Sequence, residues 1–226
     1  MESEKKDMVT FENVKKNAEI RTYIEKGNAN LGVLGFTKHS IGHATKVSDT
    51  AAKILEELEY PARTVELARI AGYMHDIGNC VNRTDHAHNG AIMAMTILRD
   101  MGMKPDEIAT IIAAIGNHDE KTGTAVDAVS AALILADKTD VRRNRVRGRD
   151  QTKFDIHDRE NFAAISSELH MDQEKRQITL DIQLDDGICS VLDYFEIFLE
   201  RMLMCRRAAE MLGCSFKLKA NGSKVL

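Results

Sequence analysis

Apolar positions recur every three to four residues from about residue 10 to about residue 140, then every second residue around residues 169–184. The first period belongs to helices with one face in a core, the second to strands with one buried face. Thr10 and Glu12 open an amphipathic stretch reaching about Lys26, and GNANLGVLG after it, with three glycines, predicts a loop. Thr37 offers a cap to a second helix, which carries Val47, Ala51, Ile54 and Leu58 on one side. Pro61 suits the first turn of a third, through Val65, Leu67, Ile70 and Met74, with Gly78 as its stop. A fourth runs from about His86 to Met101, and Pro105 starts a fifth that ends near His118. The sixth lies in AVDAVSAALILADKTDVRR, which is apolar on most sides at first and predicts a central, buried helix.

The character changes after Arg142. VRRNRVRGRD, with five arginines, reads as a surface segment. Leu169 and Met171 on one side of DQEK, and Ile178, Leu180, Ile182 and Leu184 on the other, alternate with polar residues and predict a β-hairpin. Ile188, Val191, Leu192, Phe195, Phe198, Leu199, Met202 and Leu203 form a helical stripe long enough to cover that hairpin, and Phe216 and Leu218 fit a third strand. The expected fold is mainly α: a helical domain over residues 1–148, followed by a small α+β appendage over residues 149–226.

Composition adds limits. The 226 residues suffice for one sizeable domain or a core with an appendage, and two prolines are few enough to favour long helices. A net charge of −4 gives no reason to expect a nucleic acid or anionic membrane partner, although a bound metal reverses the local field and admits small anions. Cys80, Cys189, Cys205 and Cys214 have no zinc-ribbon spacing and read as reduced, mostly buried thiols. The charged N-terminus lacks a signal-peptide core, and no apolar run approaches the roughly 18 residues a bilayer span needs. A cytoplasmic protein is expected.

Six of the eight histidines lie between residues 39 and 118. His43, His75, His86 and His118 each fall near the end of a predicted helix, and Asp76 follows His75 directly. Asp137 interrupts the most apolar helix, where an ionised carboxylate is costly unless paired or ligated. Metal coordination resolves that cost. Imidazole with carboxylate suits Fe, Mn, Co or Zn, and the lack of cysteine in the set argues against a closed structural zinc site. One aspartate can bridge two ions through its two oxygens, so six ligands suffice for one or two divalent metals. An HD dipeptide alone says little, since the chain holds three; the ordered set H, HD, H-x-x-x-G-A, H, D says much more.

That order and its contexts, HSIGHATKV, AGYMHDIGN, HAHNGA, AAIGNHDE and LILADKTDVRR, resemble the HD-domain metal-dependent phosphohydrolases over about residues 37–147. The resemblance implies a helical HD-domain bundle, with His43, His75, Asp76 and Asp137 on a first metal. A second would share Asp76 and add His86 and His118. It also implies hydrolysis of a phosphate ester or anhydride in a small molecule, with a nucleotide as the expected type, and Asp76 as the bridging carboxylate that orients the activated water. The chain departs from the pattern at Asn79, where many relatives carry the lysine of H-D-I-G-K. If that lysine holds phosphate, Asn79 does so without charge. The GYP signature of the cyclic-dinucleotide branch and the acidic pair of the alarmone hydrolases are missing too, and residues 170–226 resemble no family.

Among the other candidates, His39 reads as a polar residue or a proton donor at the mouth of the site. His88 reads as surface or as support behind the ligands, and Asp119 as a group orienting His118 or a water. His157 and His170 read as structural or exposed, and Lys138 and Arg145 as candidates for holding substrate phosphate. Two other functions share these features: a mixed-valent di-iron oxygenase on the same ligands, and a non-enzymatic nucleotide sensor whose appendage signals or forms a homodimer contact.

Overall fold

A computed structural model describes residues 8–147 and 161–225. The 148/149 boundary, Arg149 and His157 lie outside the described residues. The helices are α1 (Phe11–Lys16), α2 (Ala18–Val33), α3 (Ile41–Glu57), α4 (Ala62–Met74), α5 (His86–Asp100), α6 (Pro105–Gly116), α7 (Ala128–Lys138) and α8 (Val191–Met211). Short 3-10 turns occupy Ile77–Cys80 and Arg143–Arg145. The strands are β1 (Ala164–Asp172), β2 (Gln177–Leu184), β3 (Ser215–Ala220) and β4 (Ser223–Lys224). The fold is therefore mainly α with a small C-terminal sheet, as the periodicity indicates.

Helix α7 is the centre. Ala131, Ala132, Leu133, Ile134 and Leu135 are fully buried in succession, so every side of the helix meets protein: α3, α4, α6 and α8. Asp127 caps it by accepting from Ser130 N, with Ser130 Oγ reciprocating to the cap's backbone. One hydrophobic cluster extends from Val9 to Leu218, so the sheet and the helices share a core.

The hairpin pairs antiparallel, with Leu169 opposite Leu180 and Met171 opposite Ile178, and Ile178, Leu180, Ile182 and Leu184 are buried. Strand β3 joins β2 in parallel, which requires a crossover, and α8 is that crossover. Helix α8 packs on α7 as well as β3, and this sets which of its faces is inside. Tyr194, Phe198, Met202, Cys205, Ala208 and Ala209 are buried, whereas Leu192 and Leu199 of the expected stripe point to solvent.

Some local expectations fail for physical reasons. Residues 27–33 are helix, not loop. Gly27 lets α2 lie against the backbone of the turn at Asn79 and Cys80, since a Cβ there would meet Cys80 N at 3.1 Å, and Leu31 is fully buried. That packing outweighs the roughly 1 kcal/mol a glycine costs a helix. The cap of α3 is Ser40 and not Thr37, although no side-chain cap bond forms. Through Arg147 the arginine run is a partly exposed surface segment with salt-bridge partners, as expected, and it also binds carbonyls of distant segments. Arg143 donates to Phe162 O and pairs with Asp185, Arg145 donates to Lys38 O and Asp140 O, and Arg147 donates to Phe36 O and Asn28 O.

Gly78 lies inside a turn instead of ending α4. A Cβ there would sit 2.0 Å from His86 O and 2.5 Å from Gly90 N, so its hydrogen is what allows α5 to come so close. Gly78→Ala should cost about 2 kcal/mol or more through forced backbone displacement, roughly 5 °C in Tm. Gly42→Ala, whose nearest atom is Ser40 Oγ at 3.5 Å, should be neutral or slightly stabilising. Equal melting temperatures for the two variants would remove the close-contact argument.

Candidate metal centre

The fold brings His43 (α3), His75 and Asp76 (after α4), His86 (first residue of α5), His118 (after α6) and Asp137 (α7) to one point. Each arrives at or near a helix end. The ring orientations are set from behind. Nδ1 of His75 stands 2.8 Å from Gly72 O, that of His86 3.1 Å from Arg83 O, and that of His118 2.6 Å from Ile115 O. Carbonyls only accept, so each Nδ1 carries the proton and each Nε2 presents a lone pair to the centre. Nδ1 of His43 faces the Asp140 carboxylate at 2.8 Å with the same consequence.

Asp76 divides the centre in two. Its Oδ2 is 3.7 Å from His43 Nε2 and 3.2 Å from His75 Nε2, and Asp137 Oδ1 completes that half at 3.3 and 3.6 Å from the same two nitrogens. Its Oδ1 faces His86 Nε2 at 3.6 Å and His118 Nε2 at 3.9 Å. Donors each about 2.1 Å from one ion stand roughly 3.0 Å apart at a right angle and roughly 3.4 Å at the tetrahedral angle. The observed spacings run from 3.2 to 3.9 Å, from within that range to somewhat beyond it, and most are too long for direct hydrogen bonds.

Two observations show that the donors fit a cation. His43 Nε2, His75 Nε2 and Asp76 Oδ2 are buried with no hydrogen-bond partner, a state that costs about 1–3 kcal/mol apiece. His86 and His118 bring their Nε2 atoms within 3.2 Å of one another, two lone pairs with no proton to share. The donor facing that pair is a cation, Arg83, with Nη1 at 3.3 Å from His86 Nε2. The triads His43–His75–Asp76, His75–His118–Asp137 and Asp76–His86–His118 each gather their donor atoms closely enough for one ion.

The electrostatics agree. Burial holds His39 and His118 well below the ordinary histidine value and lowers His86. Burial acts on His75 in the same direction, but Asp76 and Asp137 override it and raise that group, so the two carboxylates favour positive charge at His75 Nε2, a proton there when no ion is bound. Burial would raise both carboxylates, yet His75 beside Asp76, and Lys138 beside Asp137, hold them well below their usual range. Two ionised carboxylates this close draw positive charge, a proton or a metal ion, to the point between them.

The HD domain profile matches residues 40–196, more than half of the chain and all six converging side chains. The chain belongs to the HD-domain family. Its HD dipeptide is His75-Asp76, and the match continues through the hairpin into the start of α8. An uncharacterized protein of Methanocaldococcus jannaschii is 27% identical over 171 residues, 65% of each chain. The present chain thus spans just under two thirds of that relative's length. A predicted HD superfamily hydrolase from an uncultured Thermotogales bacterium, a crystal structure, is 26% identical over 55% of this chain and 67% of its own, with a TM-score of 0.43.

Around this HD centre Asn79, Asp119 and the proton of His39 sit differently from the expectation, and the other described candidates sit as expected. Asn79 does not face the mouth: it is buried, and its Nδ2 donates to Asp76 Oδ1 at 2.8 Å and to Asp76 O at 3.1 Å, which fixes the carboxylate. Asp119 lines the cavity but does not orient His118, whose Nδ1 is taken by Ile115 O. His88 and His170 are exposed, beside Asp85 and Glu168. His39 gives Nδ1–H to Thr37 O, so its Nε2, 3.9 Å from Asp76 Oδ2, faces the centre as an acceptor and not as a donor. Lys138 Nζ contacts Asp137 Oδ2 at 2.7 Å, and both Lys138 and Arg145 line a cavity of about 530 Å³ that opens onto the centre.

Asp140 was not singled out in the sequence, although it stands three residues after Asp137 in ADKTD. It is held well below the usual carboxylate range: burial opposes ionisation, but His43, Arg145 and Arg142 more than compensate. A carboxylate behind a ligating histidine fixes its tautomer and strengthens it as a donor. Asp140→Asn should therefore weaken Mn²⁺ or Co²⁺ binding about 10- to 100-fold in titrations of metal-free protein. Unchanged affinity would reduce Asp140 to an anchor for Arg142 and Arg145.

Proposed function

We propose that this HD-domain chain is a metal-dependent hydrolase of a phosphate ester or anhydride in a small molecule, with a nucleotide as the substrate type. The observation that carries this reading is the division of Asp76, each oxygen facing its own pair of imidazole Nε2 atoms, at the floor of a cavity with basic walls. His43, His75, Asp76 and Asp137 would hold one divalent ion, and His86, His118 and Asp76 a second, from Fe, Mn, Co or Zn. Bound there, such ions supply Lewis acidity, polarising a phosphoryl oxygen and lowering the pKa of a water.

The protein's own part is positioning. Asn79 Nδ2, held by the HD turn, donates to Asp76 Oδ1 and to the Asp76 backbone carbonyl and so sets the orientation of the carboxylate. Lys138, braced on Asp137, sets a positive charge beside the reacting phosphoryl group. His39 places a neutral imidazole at the edge of the centre, where Nε2 can accept a proton from the attacking water. The wall formed by α8 and the loop after α6 narrows the approach of bulk water.

Two measurements test this. Metal analysis of purified protein should find one or two first-row divalent ions per chain and near-complete loss in Asp76→Ala. His43→Ala and Asp137→Ala should strip one half, while His86→Ala and His118→Ala should leave one ion bound. Equal loss in all four would mean a single shared site. Phosphate release from a panel of nucleotides and simple phosphate esters should fall at least about 100-fold in Asp76→Ala, beyond the effect of removing a supporting group. A folded wild type that stays metal-free in Mn, Fe, Co and Zn would sink the reading. Turnover under air that vanishes under argon would move it to the oxygenase alternative.

A further inference from the structure

Beyond the residues matched by the family profile, α8 reaches back to the cavity and lines it with Phe198 and Arg201. Arg201 is held on two sides. Its Nε donates to Glu120 Oε1 at 2.6 Å, and its guanidinium lies over the Phe198 ring at 4.3 Å. Its two Nη groups make no hydrogen bond among the described residues, which leaves a fixed edge of N–H donors at a cavity wall. Two further guanidinium groups line the same cavity with restraints of their own. Arg145 is tied to Lys38 O and Asp140 O, and Arg83 lies over Phe36 at 5.6 Å.

That is more anchored positive charge than one reacting phosphoryl group can use. The oxygens of that group are served at the metal centre and by Lys138. Five basic side chains face three acidic ones in the cavity once Asp76 and Asp137 are set aside as metal ligands. A guanidinium fork matches a phosphate in two-point fashion, and one whose plane is already fixed loses little freedom on binding.

We propose that Arg201, with Arg145 and Arg83, forms a subsite for a second phosphoryl group of the substrate, so that the C-terminal helix selects compounds carrying two linked phosphates over monophosphates. This rests on the hydrolase reading for the position of the first phosphate. Glu120 tunes the subsite: it contacts both Arg201 and Lys138, at 2.6 and 3.9 Å, and partly neutralises them until an anion arrives.

The test compares methylenediphosphonate, which resists hydrolysis, with orthophosphate by calorimetry, on full-length protein with and without Mn²⁺. Wild type should prefer the diphosphonate at least about tenfold, the worth of one charge-assisted phosphate contact. Arg201→Gln should remove that preference while orthophosphate affinity stays within about twofold, and Arg201→Lys should restore part of it. Glu120→Gln discriminates further. If Arg201 serves only as Glu120's ion-pair partner, both substitutions break the same contact and shift binding alike. If Arg201 binds the anion, Glu120→Gln keeps or raises diphosphonate affinity while Arg201→Gln lowers it. No preference in wild type, an unchanged preference in Arg201→Gln, or parallel losses in both variants would overturn the proposal. Metal content and phosphate release from a simple monoester, measured alongside, report separately on the hydrolase reading.

Discussion

A carboxylate taken out of water needs positive charge or N–H donors at both oxygens; Asp76 has Asn79 Nδ2 at Oδ1 and no hydrogen-bond donor at the buried Oδ2, a need that a cation among the imidazoles would meet. Much of the helical domain's geometry follows. Helix α4 ends at Met74, which lets His75 and Asp76, whose side chains would point about 100° apart on a continuing helix, converge on one centre. The 3-10 turn after them brings Asn79 back onto Asp76. Gly78 in that turn lets the start of α5 come within contact, and this is what delivers His86. Asp85, in the left-handed conformation at the cap of α5, turns the chain into the helix immediately before His86. Local features that look like punctuation in the sequence are consequences of one buried ligand set.

The helices were legible because their period is written over many residues and tertiary packing reinforces it. So was the hairpin, whose alternation matches the buried side of β2. The residues that converge on the centre could be read from order and context, since each helix end carried one imidazole or carboxylate. What failed depended on contacts between distant segments. GNANLGVLG reads as a loop when only its glycines are counted. The backbone of the HD turn, some fifty residues away, makes Gly27 an asset to a helix. The arginine run reads correctly as a surface segment, but nothing in it says that the carbonyls of Asn28, Phe36 and Lys38 stand opposite Arg145 and Arg147. The buried face of α8 could not be chosen from its own sequence, because that choice depends on α7 lying beside it.

Asn79 shows the limit of reading by motif. At the place where a lysine would invite a phosphate-binding role, the shorter amide reaches Asp76 and nothing beyond the turn except Arg83, whose Nη1 stands 3.4 Å from its Oδ1. The positive charge absent at position 79 is present elsewhere on the same cavity, at Arg83, Lys138, Arg145 and Arg201. The charge of a cavity belongs to its whole lining, and a substitution at one wall can be balanced from another.

The same logic links the two ends of the chain. Asp137 on the central helix contacts Lys138, Lys138 stands near Glu120, and Glu120 holds Arg201 on α8. These groups alternate in sign, so each stabilises its neighbours' charges at the edge of a buried centre, where an isolated charge would be expensive. Helix α8 is therefore fixed to the site by ions and to α7 by apolar packing. Moving it would expose Phe198 and leave Glu120 without its closest partner. An element that adds none of the six converging side chains is nonetheless held in register with them.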